Sequence, residues 1–106
     1  MGIKENILGA DDLRRTEIQE WGEVFYIREL SANEVEKIQS YEVGTVKRIA
    51  SFIIAGAVDA DGKQLFQWQE INKLCERNFK TLSSVAAQVV DFNGLSEGAA
   101  EELEGN

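Results

Sequence analysis

The sequence EIQEWGEVFYIREL at residues 17–30 decides the fold of the first half of the chain, because β-branched and aromatic residues flank its centre, Trp21-Gly22-Glu23. Gly22 can adopt the positive φ that a two-residue type II′ turn requires. We therefore predict a β-hairpin with Gly22 and Glu23 in its turn. The register of this hairpin pairs Trp21 with Val24, Gln19 with Tyr26, Ile18 with Ile27 and Glu17 with Arg28.

Both faces of this hairpin are partly apolar. Neither face has the polar composition of a surface that faces only solvent. Part of the apolar surface of the hairpin is therefore expected to contact a partner. Trp21 at the tip is the strongest candidate for such a contact. One face carries Ile18, Phe25 and Ile27, and the other carries Trp21, Val24 and Tyr26.

Helices are predicted to follow the hairpin. Ser31 and Glu34 have the spacing of a capping box, so a helix should begin at Ala32. The next helix is the most hydrophobic, and its stretch around Phe52 and Ile54 is apolar on every side, which indicates burial in the core or in a contact between subunits. The expected partner or self-association surface therefore comprises Trp21, Val24, Phe25, Tyr26, Ile27, Phe52, Ile53 and Ile54.

The remaining sequence predicts a turn and two more helices. Asp59-Ala60-Asp61-Gly62 is typical of a turn in which aspartate side chains bond their own backbone. Two apolar stripes at helical spacing follow, at residues 68–75 and 79–89. Asn93-Gly94 then supplies a helix stop, with Gly94 in the left-handed conformation.

The predicted fold class is α+β, mainly α, with an N-terminal β-hairpin followed by about four helices. The length of 106 residues fits a single domain. Residues 1–16 mix charges with scattered aliphatic side chains and are expected to form a loose N-terminal arm. Residues 95–106 contain four glutamates and no basic residue, which indicates a mobile acidic C-terminal tail.

The composition excludes several classes of function. The 19 acidic and 11 basic side chains give a formal charge of -8, which repels nucleic acid and anionic membranes. The chain has no histidine, the usual general base of hydrolases and the commonest ligand of catalytic metals. One cysteine and the lack of an apolar run of about 18 residues favour a cytoplasmic protein without a membrane span.

No catalytic, cofactor or metal site is expected from the other polar residues. Asp59-x-Asp61-Gly62 begins like a calcium loop, but aligning Gly62 with the glycine of such loops puts Trp68 where a bidentate glutamate is needed. Cys75 lies in an apolar stripe without a histidine to activate it, which indicates a packed thiol. Adjacent carboxylates such as Asp11-Asp12 do not converge on one point.

Four short strings occur in order along the chain: Glu20-Trp21-Gly22, Arg28-Glu29-Leu30-Ser31, VDADGKQLF at residues 58–66, and FNGLS at residues 92–96. Their succession resembles the tail assembly chaperones of long-tailed bacteriophages, over the chain from about residue 10 to its end. Members of that family often have proline before the Glu-Trp-Gly string and a second glycine after it. This chain has Gln19 and Glu23 at those places, which leaves the turn type open.

The resemblance implies a non-enzymatic chaperone that binds the tape measure protein, the long helical ruler of tail length, and keeps it soluble while tail tube subunits polymerise around it. It also implies a frameshifted longer form that recruits the tail tube protein, and self-oligomers that can be spiral. The protein would act in the cytoplasm of the bacterial host and be absent from the mature virion. No cofactor, nucleic acid or membrane is implied.

Two other classes of function remain open from the residues alone. An acidic inhibitor that mimics DNA would carry its carboxylates in a ribbon at phosphate-like spacing. An enzyme that uses only carboxylates and lysines would need a pocket in which carboxylate pKa values are strongly perturbed.

Overall fold

The computed structural model describes residues 2–95, so residues 96–106 of the predicted acidic tail lie outside the described residues. The described chain forms a three-stranded antiparallel sheet packed against helices, which confirms the predicted α+β, mainly helical class. Its elements are α1 (Ile3–Leu8), β1 (Arg15–Glu20), β2 (Glu23–Arg28), α2 (Ala32–Gln39), α3 (Val46–Gly56), β3 (Ala57–Val58), a 3-10 turn (Trp68–Glu70), α4 (Ile71–Cys75) and α5 (Phe79–Phe92).

The hairpin of β1 and β2 is present, but the predicted register is wrong. Its turn consists of Trp21 and Gly22, whose φ angles of 55° and 72° are both positive, as a type I′ turn requires. Both registers put the same apolar side chains on one face, so the hydrophobic pattern could not choose between them. The observed pairs are Arg15 with Arg28, Thr16 with Ile27, Glu17 with Tyr26, Ile18 with Phe25, Gln19 with Val24 and Glu20 with Glu23.

Contacts with α5 accompany the observed register. The carboxylate of Glu20 accepts hydrogen bonds of 2.8 Å from the Ser84 hydroxyl and from the Gln88 amide. These two bonds draw Glu20 towards α5, although it lies directly opposite Glu23, a like charge. The observed register thus includes hydrogen bonds to residues more than 60 positions further along the chain.

Two elements were not predicted. Strand β3 pairs antiparallel with β2, through Tyr26 with Val58 and Ile27 with Ala57, so α3 ends at Gly56 and does not include Ala57. A strand of two residues is too short to produce an alternating pattern. The N-terminal arm contains the short helix α1, of which no residue is buried.

The predicted local signals at the helix ends are confirmed. Ser31 and Glu34 form the capping box of α2, with the Ser31 hydroxyl accepting the Glu34 N–H and the Glu34 carboxylate accepting the Ser31 N–H. The Asp59 carboxylate accepts the N–H groups of Asp61 and Lys63, both at 2.9 Å, which makes the predicted turn. Gly94 has a φ of 67° after α5.

The core surrounds α3. All residues from Ala50 to Gly56 are buried, including Phe52, Ile53 and Ile54. Helix α3 packs against α2, α4 and α5, and its apolar residues belong to one core cluster with Ile18, Phe25 and Ile27 of the sheet. The all-round apolar character of this stretch therefore reflects a helix covered on every side by its own chain.

Candidate binding groove

An apolar concavity of about 400 Å³ lies beside the tip of the hairpin. We call it the hairpin groove. It lies between the turn of the hairpin, the Leu65-Phe66 loop and the end of α4. The groove is lined by Trp21, Glu23, Val24, Phe25, Leu65, Phe66, Leu74 and Arg77.

Trp21 is held in an unusual backbone conformation at one end of the groove. Its φ of 55° makes it the one non-glycine residue with positive φ among residues 2–95. A bulky residue in this region costs about 1–2 kcal/mol relative to the right-handed conformation. The ring of Trp21 stacks on that of Phe25, with centroids 6.3 Å apart, so the strained turn places a large apolar ring over the groove.

The indole N–H of Trp21 is buried and has no hydrogen-bond acceptor among the described residues. Most buried polar groups in proteins do find a partner, and leaving one unpaired costs about 1–3 kcal/mol. Backbone strain and an unpaired donor thus coincide at one residue. Residues that combine backbone strain with an unpaired buried group are typical of binding sites, where function outweighs the cost in stability.

Part of the lining of the groove is buried core and part is exposed. Phe25 and Leu74 are buried and belong to the core. Val24 and Leu65 keep 57% and 40% of their surface exposed, so two of the apolar side chains that line the concavity face solvent. A partner with an apolar face would bury this surface without rearranging the core.

Charged side chains continue the groove along α4. A second depression of about 470 Å³ shares Phe66, Leu74 and Arg77 with the hairpin groove. Its other lining residues are Glu70, Lys73 and Glu76. The combined surface is therefore an apolar trough that opens into a strip of mixed charge, a pattern suited to an amphipathic helix.

The structure brings together three of the eight residues predicted for a partner surface. Trp21, Val24 and Phe25 line the hairpin groove. Tyr26 is half-buried, and its hydroxyl donates to Glu17 at 3.4 Å. The other four are buried in the core, namely Ile27, Phe52, Ile53 and Ile54.

The groove also contains residues that the sequence did not indicate. Leu65 and Phe66 belong to the loop after β3, and Arg77 follows α4. An apolar pair in the loop that follows the Asp-Gly turn was the available signal, because residues of surface loops are normally polar. Their approach to Trp21 depends on the tertiary fold.

Among the described residues, the polar side chains form no candidate metal site. Within residues 2–95 no group of three or more carboxylate or cysteine side chains is placed to hold a metal ion. Partial burial raises the pKa of the Cys75 thiol, with the ammonium group of Lys47 acting weakly in the opposite direction. Cys75 packs against the core, as its apolar stripe predicted. None of the described helices is long and apolar enough to cross a bilayer.

Comparisons with known proteins give a likeness at the level of fold. No family model matches the sequence, and no curated protein matches it either. The fold is similar to the solved structure of the bacteriophage HK97 tail assembly chaperone, with a TM-score of 0.61. The superposed region covers 83% of this chain and 94% of that chain at 16% identity. The resemblance stated above is thus supported for the fold.

Proposed function

We propose that this protein is a phage tail assembly chaperone that binds apolar helical segments of the tape measure protein in the hairpin groove. The observation that carries the proposal is an exposed apolar groove on a fold shared with the HK97 tail assembly chaperone. Covering the apolar stripes of a long helical protein would keep it from aggregating before the tail tube forms.

The chemistry of the groove suits this client. A helix presents apolar side chains at three- and four-residue spacing, and the exposed lining residues Val24 and Leu65 with the ring of Trp21 offer matching apolar surface. Glu23 and Arg77, which also line the groove, would orient the client through its flanking charges. The formal charge of -8 would keep the complex soluble.

Further parts of the proposal come from the family resemblance. A frameshifted longer form would recruit the tail tube protein, and copies of the chain would associate with one another. The protein would act in the host cytoplasm and leave before the virion is complete. A groove on each copy would then give the tape measure protein many equivalent contacts.

Co-expression with the tape measure protein of the same phage tests the proposal. We expect the soluble yield of the tape measure protein to rise several-fold with the wild-type chain. Val24→Glu should abolish this gain, because it places a charge in an apolar contact. Val43→Glu is the matched control, since Val43 is an exposed valine outside the groove. Equal insolubility with and without the wild-type chain would contradict the proposal.

The salt dependence of binding separates this function from DNA mimicry. Apolar groove contacts should weaken little as salt is raised from low to moderate concentration, whereas a carboxylate ribbon that imitates DNA would lose affinity steeply. The measurement is the affinity for a tape measure fragment by calorimetry at several salt concentrations. A steep loss would favour the acidic inhibitor.

A further inference from the structure

A second cavity, of about 190 Å³, lies between α3 and α5 and shares no lining residue with the hairpin groove. We call it the α3–α5 cavity. On the side of α5 its lining residues are Ser83, Ala86, Ala87 and Val90, whose spacing puts them on one face of the helix. Three of these four side chains are small, so α5 leaves space beside the first turns of α3.

The polar groups of this cavity favour an anionic occupant. Arg48 lines it and is only 4% exposed, and its guanidinium group donates to the Tyr41 carbonyl at 3.1 Å. The Ser83 hydroxyl is buried without a hydrogen-bond partner among the described residues. Thr45 also lines the cavity and caps α3, whose first turn carries no acidic residue to balance the helix dipole. A carboxylate could accept hydrogen bonds from both Arg48 and Ser83 at the positive end of the helix.

The size of the cavity suits a single side chain. Binding sites for small organic ligands usually have volumes of about 300–1,000 Å³, well above the volume found here. Phe52 and Val90 add apolar surface to the lining. The matching occupant is therefore a chain segment that carries a carboxylate next to small apolar side chains.

The chain leaves α5 at the edge of this cavity. Gly94 has a φ of 67°, and the Leu95 N–H donates to the Val90 carbonyl at 2.9 Å, so a Schellman motif turns the chain back on the end of the helix. Val90 lines the cavity, and Glu97 is two residues beyond Leu95. From Ser83 to Val90 the lining extends over about 10 Å of helix, a length that three or four extended residues span.

We infer that residues 97–102 of the acidic tail dock on their own chain, with a glutamate carboxylate bound by Arg48 and Ser83 in the α3–α5 cavity. Residues 96–106 contain four glutamates and no basic residue, so their charge complements the guanidinium group. Ala99 and Ala100 lie between the glutamates and suit the apolar part of the lining. The mobile tail expected from the sequence is the undocked state of the same segment. This inference goes beyond the proposed function and does not depend on the tape measure protein.

Limited proteolysis of the full chain tests the inference. A non-specific protease cleaves segments that are not held in place, so mass spectrometry of the cleavages beyond residue 95 measures docking. We expect several-fold faster cleavage in Ala87→Glu, because exposed Ala87 lines the cavity and a carboxylate there repels the glutamates of the tail. Ala10→Glu is the matched control with the wild-type rate, since Ala10 is exposed and lies outside the cavity.

Two further variants test the contact without adding charge to the cavity. Ser83→Ala removes the buried hydroxyl, and the tail should again be cleaved faster than in the wild type, because the carboxylate loses a donor. Replacing Glu97, Glu101 and Glu102 together by glutamine should release the tail as fully as Ala87→Glu does. Circular dichroism should confirm that all variants fold.

Three outcomes would overturn the inference. The first is one rate of tail cleavage shared by the wild type, Ala87→Glu and Ser83→Ala. The second is a wild-type tail that is cleaved as fast as that of the glutamine variant, which would leave the cavity to an acidic group of another molecule. The third is protection that disappears on dilution, which would show that the tail of a second copy occupies the cavity.

Discussion

Gly56 and Val89 are in direct contact where α3 crosses α5. A methyl group built on Gly56 would lie 2.8 Å from one γ-carbon of Val89 and 3.1 Å from the other. Val89 is fully buried and its β-branched side chain has little rotamer freedom. The absence of a side chain at Gly56 therefore sets how closely the two central helices approach, and with it the position of β3 directly after α3.

Gly56→Ala should destabilise the fold, because the added methyl group overlaps the Val89 side chain. We expect a loss of about 1–3 kcal/mol in the free energy of unfolding, measured by urea denaturation. Val89→Ala alone should also destabilise by opening a cavity. The double variant should lose less free energy of unfolding than the sum of the two single losses, because the new methyl group enters the space that Val89→Ala vacates. Strict additivity would contradict a direct contact.

Asn93 should be required to join α5 to the end of the hairpin. Its side-chain oxygen accepts the Leu30 N–H at 2.7 Å, and its amide donates to the carbonyls of Arg28 and Val89. We expect Asn93→Ala to lower the free energy of unfolding by about 1–3 kcal/mol, because partly buried backbone groups lose their partners. The exposed Asn6→Ala is the control, and equal stability of the two variants would refute the role.

The Asp59 turn should make stability depend on pH. Hydrogen bonds from the backbone N–H groups of Lys63 and Asp61 hold the pKa of the Asp59 carboxyl below its usual value of about 4. The ionised Asp59 carboxylate therefore stabilises the folded state at pH values above the pKa of this carboxyl in the unfolded chain. This stabilisation is lost as the pH falls through the lower pKa of the folded state. Asp59→Asn should thus lower the Tm at pH 7 and cease to do so in strong acid.

Asp61→Asn is the control for this pH dependence, because the Asp61 carboxylate accepts no hydrogen bond among the described residues. Its Tm should follow the wild type at every pH. A Tm difference between wild type and Asp59→Asn that stays constant from pH 7 to strong acid would show that the ionised carboxylate contributes nothing. The measurement is thermal unfolding by circular dichroism across that range.

Trp21→Asn should separate stability from binding. Asparagine tolerates positive φ, so Asn-Gly relieves strain of about 1–2 kcal/mol in the type I′ turn. The substitution loses the stacked ring contact with Phe25, about 0.5–1.5 kcal/mol, together with the buried apolar surface of the ring, and it also removes the unpaired indole N–H, which costs about 1–3 kcal/mol in the wild type. We therefore expect a Tm close to that of the wild type together with loss of tape measure solubilisation. A variant that binds normally would exclude Trp21 from the interface.

Short-range signals determined much of this fold. The capping box of Ser31 and Glu34, the Asp59 turn and the stop at Gly94 each depend on residues within a few positions, so their chemistry can be read from the chain itself. The apolar stretch of α3 likewise predicted its own burial, because a helix that is hydrophobic on every side has no face for solvent.

Tertiary contacts decided the rest. Two hairpin registers have the same inward face, and hydrogen bonds from Ser84 and Gln88 to Glu20 accompany the observed one. The groove arises only when the loop at Leu65 and the end of α4 meet Trp21. The hydrophobicity of the sequence indicates how much apolar surface must be buried. The packing of the elements against one another decides which apolar residues stay exposed. That is why Val24 remained available to a partner while Ile53 became core.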